Sequence, residues 1–215
     1  FGAGDLAARV PLTQAEEIGE LAALRDSMAV PLQGYTGSLE GLVAERTAEL
    51  RDANAKLERL ARTDPLTGLA NRRQLTEQLD FEIRRGSRAQ RQFALIMIDV
   101  DHFKHYNDSQ GHPAGDVLLR ALATTFEMNL RSTDLVARYG GEEFVVLLLD
   151  TGPQESMATA RKLQQAVASQ TFAHGESQPL GRVTVSIGVA FYPHDSADAA
   201  SLIDYADQAL YRAKA

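Results

Sequence analysis

The sequence predicts an α+β domain over residues 63–215, built from a mixed sheet and helices that cover it, and three patterns indicate this fold class. The run QFALIMIDV, residues 92–100, is almost continuously apolar, as expected of a buried strand. Two further strand-like runs meet at Gly140 and Gly141, and glycine readily takes the positive φ that a tight hairpin turn requires. RVTVSIGVAFY, residues 182–192, is rich in β-branched residues and predicts another strand.

Helices are predicted between and around these strands. Apolar residues spaced about 3.6 apart place them near residues 71–85, 115–130, 153–168 and 198–215. The order of elements is therefore βαββαβ, with one helix before it and one after it. This order predicts a ferredoxin-like, palm-type sheet with the first strand at its centre and the helices on one face.

The N-terminal part of the chain is rich in Ala, Leu, Glu and Arg and contains no strand-like run. Pro31 and Gly34 predict a break in any helix there, and we divide this part into residues 1–35 and 36–62. Apolar residues follow heptad spacing in the second segment: Leu39, Val43, Leu50, Ala53, Leu57 and Leu60. We expect a parallel dimeric coiled coil, and the alternative is a helical hairpin packed on the domain.

Charge and cysteine content exclude several classes of protein. The chain has 22 Lys and Arg against 29 Asp and Glu, a formal net charge of -7, which argues against a nucleic acid polymer as partner. The absence of cysteine excludes disulfides, thiolate zinc sites and cysteine nucleophiles, and it suits a reducing compartment. The chain starts at Phe1 without an initiator Met, so we expect it to be a fragment of a longer protein.

Three carboxylates are expected to meet at one edge of the sheet. Asp99 ends the central strand, and Glu142 and Glu143 follow the hairpin glycines. Carboxylates this close repel one another unless a divalent cation lies between them. Mg²⁺ suits such oxygen ligands, and a palm with this site is suited to two-metal nucleotidyl transfer. The alternative is that these are polar residues that cap a sheet edge.

Five motifs in this order resemble the diguanylate cyclase (GGDEF) family: DPLTGLANRR, IDVDHFKHYND, GHPAGDVLL, RYGGEEF and VTVSIGVA. The resemblance runs from about Arg62 to Ala215. It implies an enzyme that condenses two GTP molecules into cyclic di-GMP and releases two pyrophosphates. It also implies two Mg²⁺ ions per active site, with Mn²⁺ as a substitute, and a homodimer.

The resemblance assigns metal binding to four positions. Asp99 matches the metal-binding aspartate, and Val100 matches the residue that offers its backbone carbonyl. Glu142 matches the acid that binds metal and deprotonates the attacking 3′-hydroxyl. Glu143 matches a second catalytic acid at the metals.

The resemblance also implies a substrate-binding set: Phe103, Lys104, Asn107, Asp116, Gly140, Gly141 and Lys214. Asn107 and Asp116 match the pair that recognises guanine, and a carboxylate can accept from both N1-H and the exocyclic amine of that base. Lys104 and Lys214 match lysines that contact the triphosphate. The family's next arginine and closing strand are not present in this sequence, and we therefore expect weaker triphosphate binding by this fragment than by its parent.

A second nucleotide site is implied by RSTD. Arg131 and Asp134 match the family's RxxD motif, at which the product binds as an inhibitor. Lys162 stands where a further arginine often completes this site. A lysine lacks the bidentate geometry of arginine, so we expect weaker inhibition.

The N-terminal segments resemble signalling modules. Residues 4–29 resemble the second half of a HAMP domain, and residues 39–64 resemble the signalling helix that often joins such a module to an output domain. The HAMP resemblance implies a membrane-anchored parent protein with this domain on the cytoplasmic side of the inner membrane.

Other functions stay open at the level of sequence. A noncatalytic module that senses GTP or cyclic di-GMP is one alternative, and the intact acids at 142 and 143 argue against it. A different cyclase or polymerase palm is another, and the Asn107 and Asp116 pair argues for guanine instead. A pure dimerisation protein explains the N-terminal segments but leaves the acidic cluster without a role.

Overall fold

A computed structural model describes residues 18–21, 23–24, 27, 42–53, 58, 61–89 and 91–214. The chain divides into two compact units, Phe1–Lys56 and Leu57–Ala215. Most of the predicted HAMP-like segment, and Leu39, Leu57 and Leu60 of the heptad pattern, lie outside the described residues. Within the described ranges, no helix combines the length and the apolar character needed to cross a membrane.

The first unit is helical where it is described. Residues 42–53 form one helix, and Arg46 pairs with Glu49 one turn later at 2.7 Å. Leu42, Val43 and Leu50 are 51%, 61% and 65% exposed. The heptad positions Val43 and Leu50 are thus exposed on this helix, and the dimeric coiled coil stays a prediction.

The second unit contains a five-stranded sheet and five α-helices within its described residues. In chain order the elements are β1 (Ala70–Asn71), α1 (Arg72–Ala89), β2 (Phe93–Val100), α2 (Phe103–Gln110), α3 (His112–Asn129), β3 (Leu135–Gly140), β4 (Glu143–Leu149), α4 (Pro153–Ser169), a 3₁₀ turn (Gly175–Ser177), β5 (Val185–Tyr192) and α5 (Ala199–Lys214).

The strand order across the sheet is β1-β3-β4-β2-β5. β2 pairs antiparallel with both β4 and β5, and all eight of its residues are buried. The two-residue β1 adds to the far edge, parallel to β3. The prediction that the first long strand lies centrally beside the hairpin is confirmed.

The predicted placement of all helices on one face is wrong. Alternate residues of β2 point into two separate apolar layers, as side chains on a strand do. On one face Ile96 and Ile98 pack with α3 and α4, and on the other Leu95 and Met97 pack with α1 and α5. A strand that is buried at every position needs cover on both faces, so the leading and trailing helices form a second layer.

Two local predictions also differ from the structure. Residues 103–110, which lie outside the predicted helices, form α2, which follows His102 in the left-handed region at φ 57°. The hairpin turn lies one residue further along than expected, because Gly140 pairs with Glu143 and residues 141 and 142 make the turn. Gly141 takes φ 49°, and Glu142 is thereby placed at the tip.

Candidate active site

The acidic edge consists of Asp99, Glu142 and Glu143. Asp99 lies directly opposite Glu143 in the β2–β4 pairing and is 8% exposed. Glu142 lies in the turn that joins β3 to β4. Antiparallel pairing thus brings together the end of one strand and the start of another.

The electrostatics of this edge are unfavourable without a further cation. Burial raises the pKa of Asp99, and Glu142 and Asp101 add to that increase while Lys214 opposes it. Burial also raises the pKa of Glu143, followed by the charges of Asp99, Asp207 and Glu142, again opposed by Lys214. The site holds more negative charge than its neighbours neutralise.

One cation, Lys214, already contacts the edge. Its Nζ lies 2.7 Å from Asp99 Oδ1, at the end of α5. Gly188 allows this approach, because a Cβ there would overlap the backbone of α5 at Ala206 and Leu210. A cavity of about 430 Å³ opens beside this pair, lined also by His102.

The acidic edge fits a divalent metal by its chemistry. Its side chains offer only oxygen ligands, and the carbonyl of Val100 adjoins Asp99. The ammonium of Lys214 pairs with Asp99 and shows that positive charge is stabilised at this position. Within the described ranges, no three His, Asp or Glu side chains already lie close enough to hold a metal ion, so binding requires the carboxylates to turn toward it.

Sequence reasoning missed Asp101. Its two carboxylate oxygens accept hydrogen bonds from Thr184 Oγ1 and Ser186 Oγ, both at 2.6 Å. Its backbone N-H donates to the carbonyl of Thr184 at 3.0 Å, so the β2–β5 ladder continues past Val100. The alternation IDVD was the available signal, since it places a second acid two residues after Asp99. Asp207 was also missed.

The expected guanine-binding residues lie on neighbouring helices. Asn107 belongs to α2, and Asp116 is exposed at the fifth position of α3. The Oδ1 atom of Asn107 is buried without a hydrogen-bond partner. Gly115 makes room for it, because a Cβ there would overlap Oδ1. An unsatisfied amide beside an exposed carboxylate is suited to bind a polar ligand edge.

Two of the residues expected to contact phosphate, Phe103 and Lys104, lie at the start of α2. Phe103 is buried at its first position, and Lys104 is exposed beside it. The first turn of a helix offers free N-H groups to an anion. Phe103, Lys104 and Asn107 thus lie on one short helix that starts three residues after Val100, while Asp116 lies on α3 and Lys214 on α5.

A second cavity, of about 460 Å³, lies on the other side of β3. Arg131, Ser132, Asp134 and Glu127 line it, together with Gly68 and its two following residues. Asp134 Oδ2 accepts from the backbone N-H of Arg131 at 3.0 Å, whereas Oδ1 is buried and unpartnered. Arg131 and Asp134 therefore face one space.

Lys162 lies on α4 and is engaged elsewhere. Its Nζ donates to the carbonyl of Asn129 at 2.8 Å, at the end of α3. This contact satisfies a carbonyl in the last turn of that helix.

The mixed sheet with its acidic edge is the architecture of a palm-type nucleotidyl-transfer domain. Comparison with known families makes the class specific: the model described as "Diguanylate cyclase, GGDEF domain" matches residues 61–215. The chain belongs to the GGDEF family of diguanylate cyclase domains.

Relatives agree with this family. The chain is 40% identical over 188 residues to the diguanylate cyclase DgcP of Pseudomonas aeruginosa, covering 85% of this chain and 28% of that protein. It is 39% identical over 156 residues to the response regulator PleD of Caulobacter vibrioides, covering 73% of this chain and 34% of the relative. The chain thus spans about a third or less of these relatives.

A solved structure has the same fold. The coiled coil and GGDEF domain of DgcB from Caulobacter crescentus, in complex with c-di-GMP, superposes with a TM-score of 0.72 at 33% identity. The match covers 82% of this chain and 94% of that one.

Proposed function

We propose that this domain is a diguanylate cyclase that joins two GTP molecules into cyclic di-GMP and releases two pyrophosphates. One observation carries the proposal: the acidic edge holds excess negative charge next to Lys214, and β2, which ends there, leads directly into α2. The name of the relative DgcP supports the same activity.

The bound GTP is held along α2. Asp116 accepts from N1-H and the exocyclic amine of guanine, and the amide of Asn107, whose Oδ1 has no hydrogen-bond partner in the protein, binds the base edge beside it. The backbone at Phe103 and the side chains of Lys104 and Lys214 contact the triphosphate. Lys214 leaves Asp99 for a phosphate when nucleotide and metal enter.

Asp99, the Val100 carbonyl, Glu142 and Glu143 would hold two Mg²⁺ ions, for which Mn²⁺ could substitute. When bound, Mg²⁺ supplies the positive charge that offsets the carboxylates and the phosphates. Glu142 accepts the proton of the 3′-hydroxyl as that oxygen bonds to the α-phosphorus of the other GTP. The bond to pyrophosphate breaks in the same step.

A homodimer follows from this stoichiometry. Each domain holds one GTP, so two sites must face each other across a two-fold axis. The exposed Val43 and Leu50 support a parallel coil that raises the effective concentration of paired domains. The name of the DgcB structure includes a coiled coil as well.

The coil has a direct test. Val43→Asp with Leu50→Asp should yield mostly monomer in light scattering, with a specific activity that climbs steeply with protein concentration. The matched control adds the same charges off the stripe, with Ala44→Asp and Ala48→Asp. If the control pair stays dimeric and the Val43 and Leu50 pair does not, the coil is confirmed. If both pairs stay dimeric, the coil is contradicted.

Regulation is proposed at two places. Product binds the cavity lined by Arg131 and Asp134 and inhibits the enzyme, with Lys162 nearby as a weaker substitute for arginine. A HAMP-like segment over residues 1–35 passes a signal through residues 36–62 to the domain at 63–215. The parent protein is membrane-anchored, with this domain in the cytoplasm.

The proposal is tested by incubating the purified chain with GTP and Mg²⁺ and separating the nucleotides. The expected result is cyclic di-GMP and pyrophosphate in a ratio of one to two. Binding of GTP without turnover would show a sensing module instead. Equal use of ATP would show a different cyclase.

A further inference from the structure

The segment that leads into the domain, residues 61–72, contacts the β3–β4 turn. We refer to it as the connecting segment. Asn71 Nδ2 donates to the carbonyl of Ala61 at 3.0 Å, and the N-H of Asp64 donates to the carbonyl of Leu69 at 2.8 Å. These bonds close the segment into a compact loop at the edge of the sheet, where β1 pairs with β3.

Arg138 joins the connecting segment to the turn. Its Nε and Nη2 donate to the carbonyl of Gly141 at 3.0 and 2.8 Å. Its Nη1 lies 3.2 Å from both carboxylate oxygens of Asp64. The two side chains are only 16% and 17% exposed, so this guanidinium is held in one orientation.

Arg72 holds the next residue. Its guanidinium carbon lies 4.5 Å from the centre of the Tyr139 ring, a cation–π contact. Tyr139 directly precedes Gly140 and packs against the layer of α1 and α5. The connecting segment therefore contacts two consecutive residues of β3 before the turn.

The turn itself has little else to hold it. A Cβ placed on Gly140 or Gly141 would find no atom within 4 Å, so both glycines face open space. The β3–β4 register shifts between Arg138 and Gly140. The position of Glu142 thus depends on contacts made through residues 138 and 139.

We infer that Arg138 and Arg72 are positioning residues that fix the β3–β4 turn so that Glu142 meets the reacting hydroxyl. The inference rests on the proposed cyclase activity. Among the described contacts, neither arginine reaches Lys104, Asn107 or Asp116, so the predicted loss is mainly in kcat and not in affinity for GTP. Small displacements of a reacting group lower rates steeply.

The first variant is Arg138→Lys, which keeps the charge beside Asp64 but cannot donate twice to Gly141. We expect kcat to fall at least about tenfold, since charge-assisted hydrogen bonds are lost, while KM for GTP stays near wild type. Hydrogen exchange of a peptide spanning residues 140–143 should speed up. An unchanged kcat, or a loss confined to KM, would overturn the inference.

The second set of variants tests the contact between Arg72 and Tyr139, separately from Arg138. Arg72→Met should lower kcat about two- to fivefold. Arg73→Met is the matched control, because Arg73 pairs with Glu77 at 3.0 Å on the outside of α1. Equal kcat in these two variants would overturn the role of Arg72.

Tyr139 separates positioning from general stability. Tyr139→Phe keeps the ring and should keep kcat, whereas Tyr139→Leu should match Arg72→Met. Adding Arg72→Met to Tyr139→Leu should cost nothing further, and additive losses would contradict the pair. If the wild-type chain forms no cyclic di-GMP, the proposed function fails, and the hydrogen exchange of the turn still decides the inference.

Discussion

Asp64 and Asp99 are two carboxylates near the β3–β4 turn, and their surroundings shift their pKa values in opposite directions. Burial acts to raise the pKa of Asp64, but hydrogen bonds from Thr67 and Arg138 outweigh it and lower the pKa. At Asp99 burial outweighs the ion pair with Lys214, and neighbouring acids raise the pKa further. The first carboxylate is fully paired and the second is not.

This difference separates a structural joint from a binding site. A carboxylate whose partners are all supplied by the fold stabilises that fold, as Asp64 does for the connecting segment. Acids that the fold brings together without sufficient partners cost stability, and such sites are candidates for function. The acidic edge is therefore where the chain should bind a metal and phosphates.

The largest expected effect is at the tip of the turn. Glu142→Gln should lower cyclic di-GMP formation by about 10²–10⁴-fold, because the amide keeps the shape but cannot accept the proton. The measurement is the rate of product formation, with thermal unfolding as the check on folding. Glu155→Gln, at the start of α4 and beyond the end of β4 that lies away from the turn, should keep the wild-type rate. Full activity in Glu142→Gln would remove this residue from the mechanism.

The second effect concerns the cavity on the connecting-segment side. Arg131→Ala should weaken cyclic di-GMP binding about 10- to 100-fold, since a charge-assisted contact with phosphate is lost, and should retain turnover. Titration calorimetry with cyclic di-GMP measures the change. If both proteins bind product equally, RSTD is only the end of a helix.

The third effect is on stability at the paired carboxylate. Asp64→Asn should lower the free energy of unfolding by about 1.5–3 kcal/mol at neutral pH, because Arg138 loses its charged partner. The folded pKa of Asp64 is below its usual value of 3.8, so the stabilisation is present above that value and is lost as pH falls below it. Denaturant unfolding of both proteins between pH 3 and 7 should therefore converge at the acid end. A constant difference would contradict the pairing.

The smallest effect has the opposite sign. The folded pKa of Glu143 is above its usual value of 4.5, so the wild type loses stability as pH rises through the folded pKa. Glu143→Gln should therefore be more stable than wild type at neutral pH in the presence of a chelator, by less than the loss in Asp64→Asn. The two proteins should become equal below pH 4.5. A destabilised Glu143→Gln at neutral pH would show that the acidic edge is paired after all.

Much of the fold and of the acidic edge could be predicted from local sequence. The apolar run that ends at Asp99 and the hairpin after Gly140 place two carboxylates at one edge, because strand pairing follows from the pattern. The same run also signalled burial on both faces, although one-sided cover was predicted. Short α2 was missed because FKHYNDSQ is only eight residues long and mostly polar, with Phe103 and Tyr106 as its buried residues.

Contacts between distant residues could not be predicted in this way. Asp101 meets Thr184 across 83 positions, and Arg138 meets Asp64 across 74. Their pairing depends on the register of β5 and on the loop of the connecting segment, and neither has a periodic signal. The stacking of Arg72 on Tyr139 depends on the register of β1 against β3, in which Asn71 lies opposite Arg138.

The most direct test of the unpaired acidic edge is thermal unfolding with a non-hydrolysable GTP analogue. Ligands that bind the folded state raise its melting temperature. We predict that Mg²⁺ and the analogue together raise the melting temperature of the wild type by more than the sum of their separate effects, and that Asp99→Asn removes this excess. An equal rise with chelator present, or an undiminished excess in Asp99→Asn, would contradict the account.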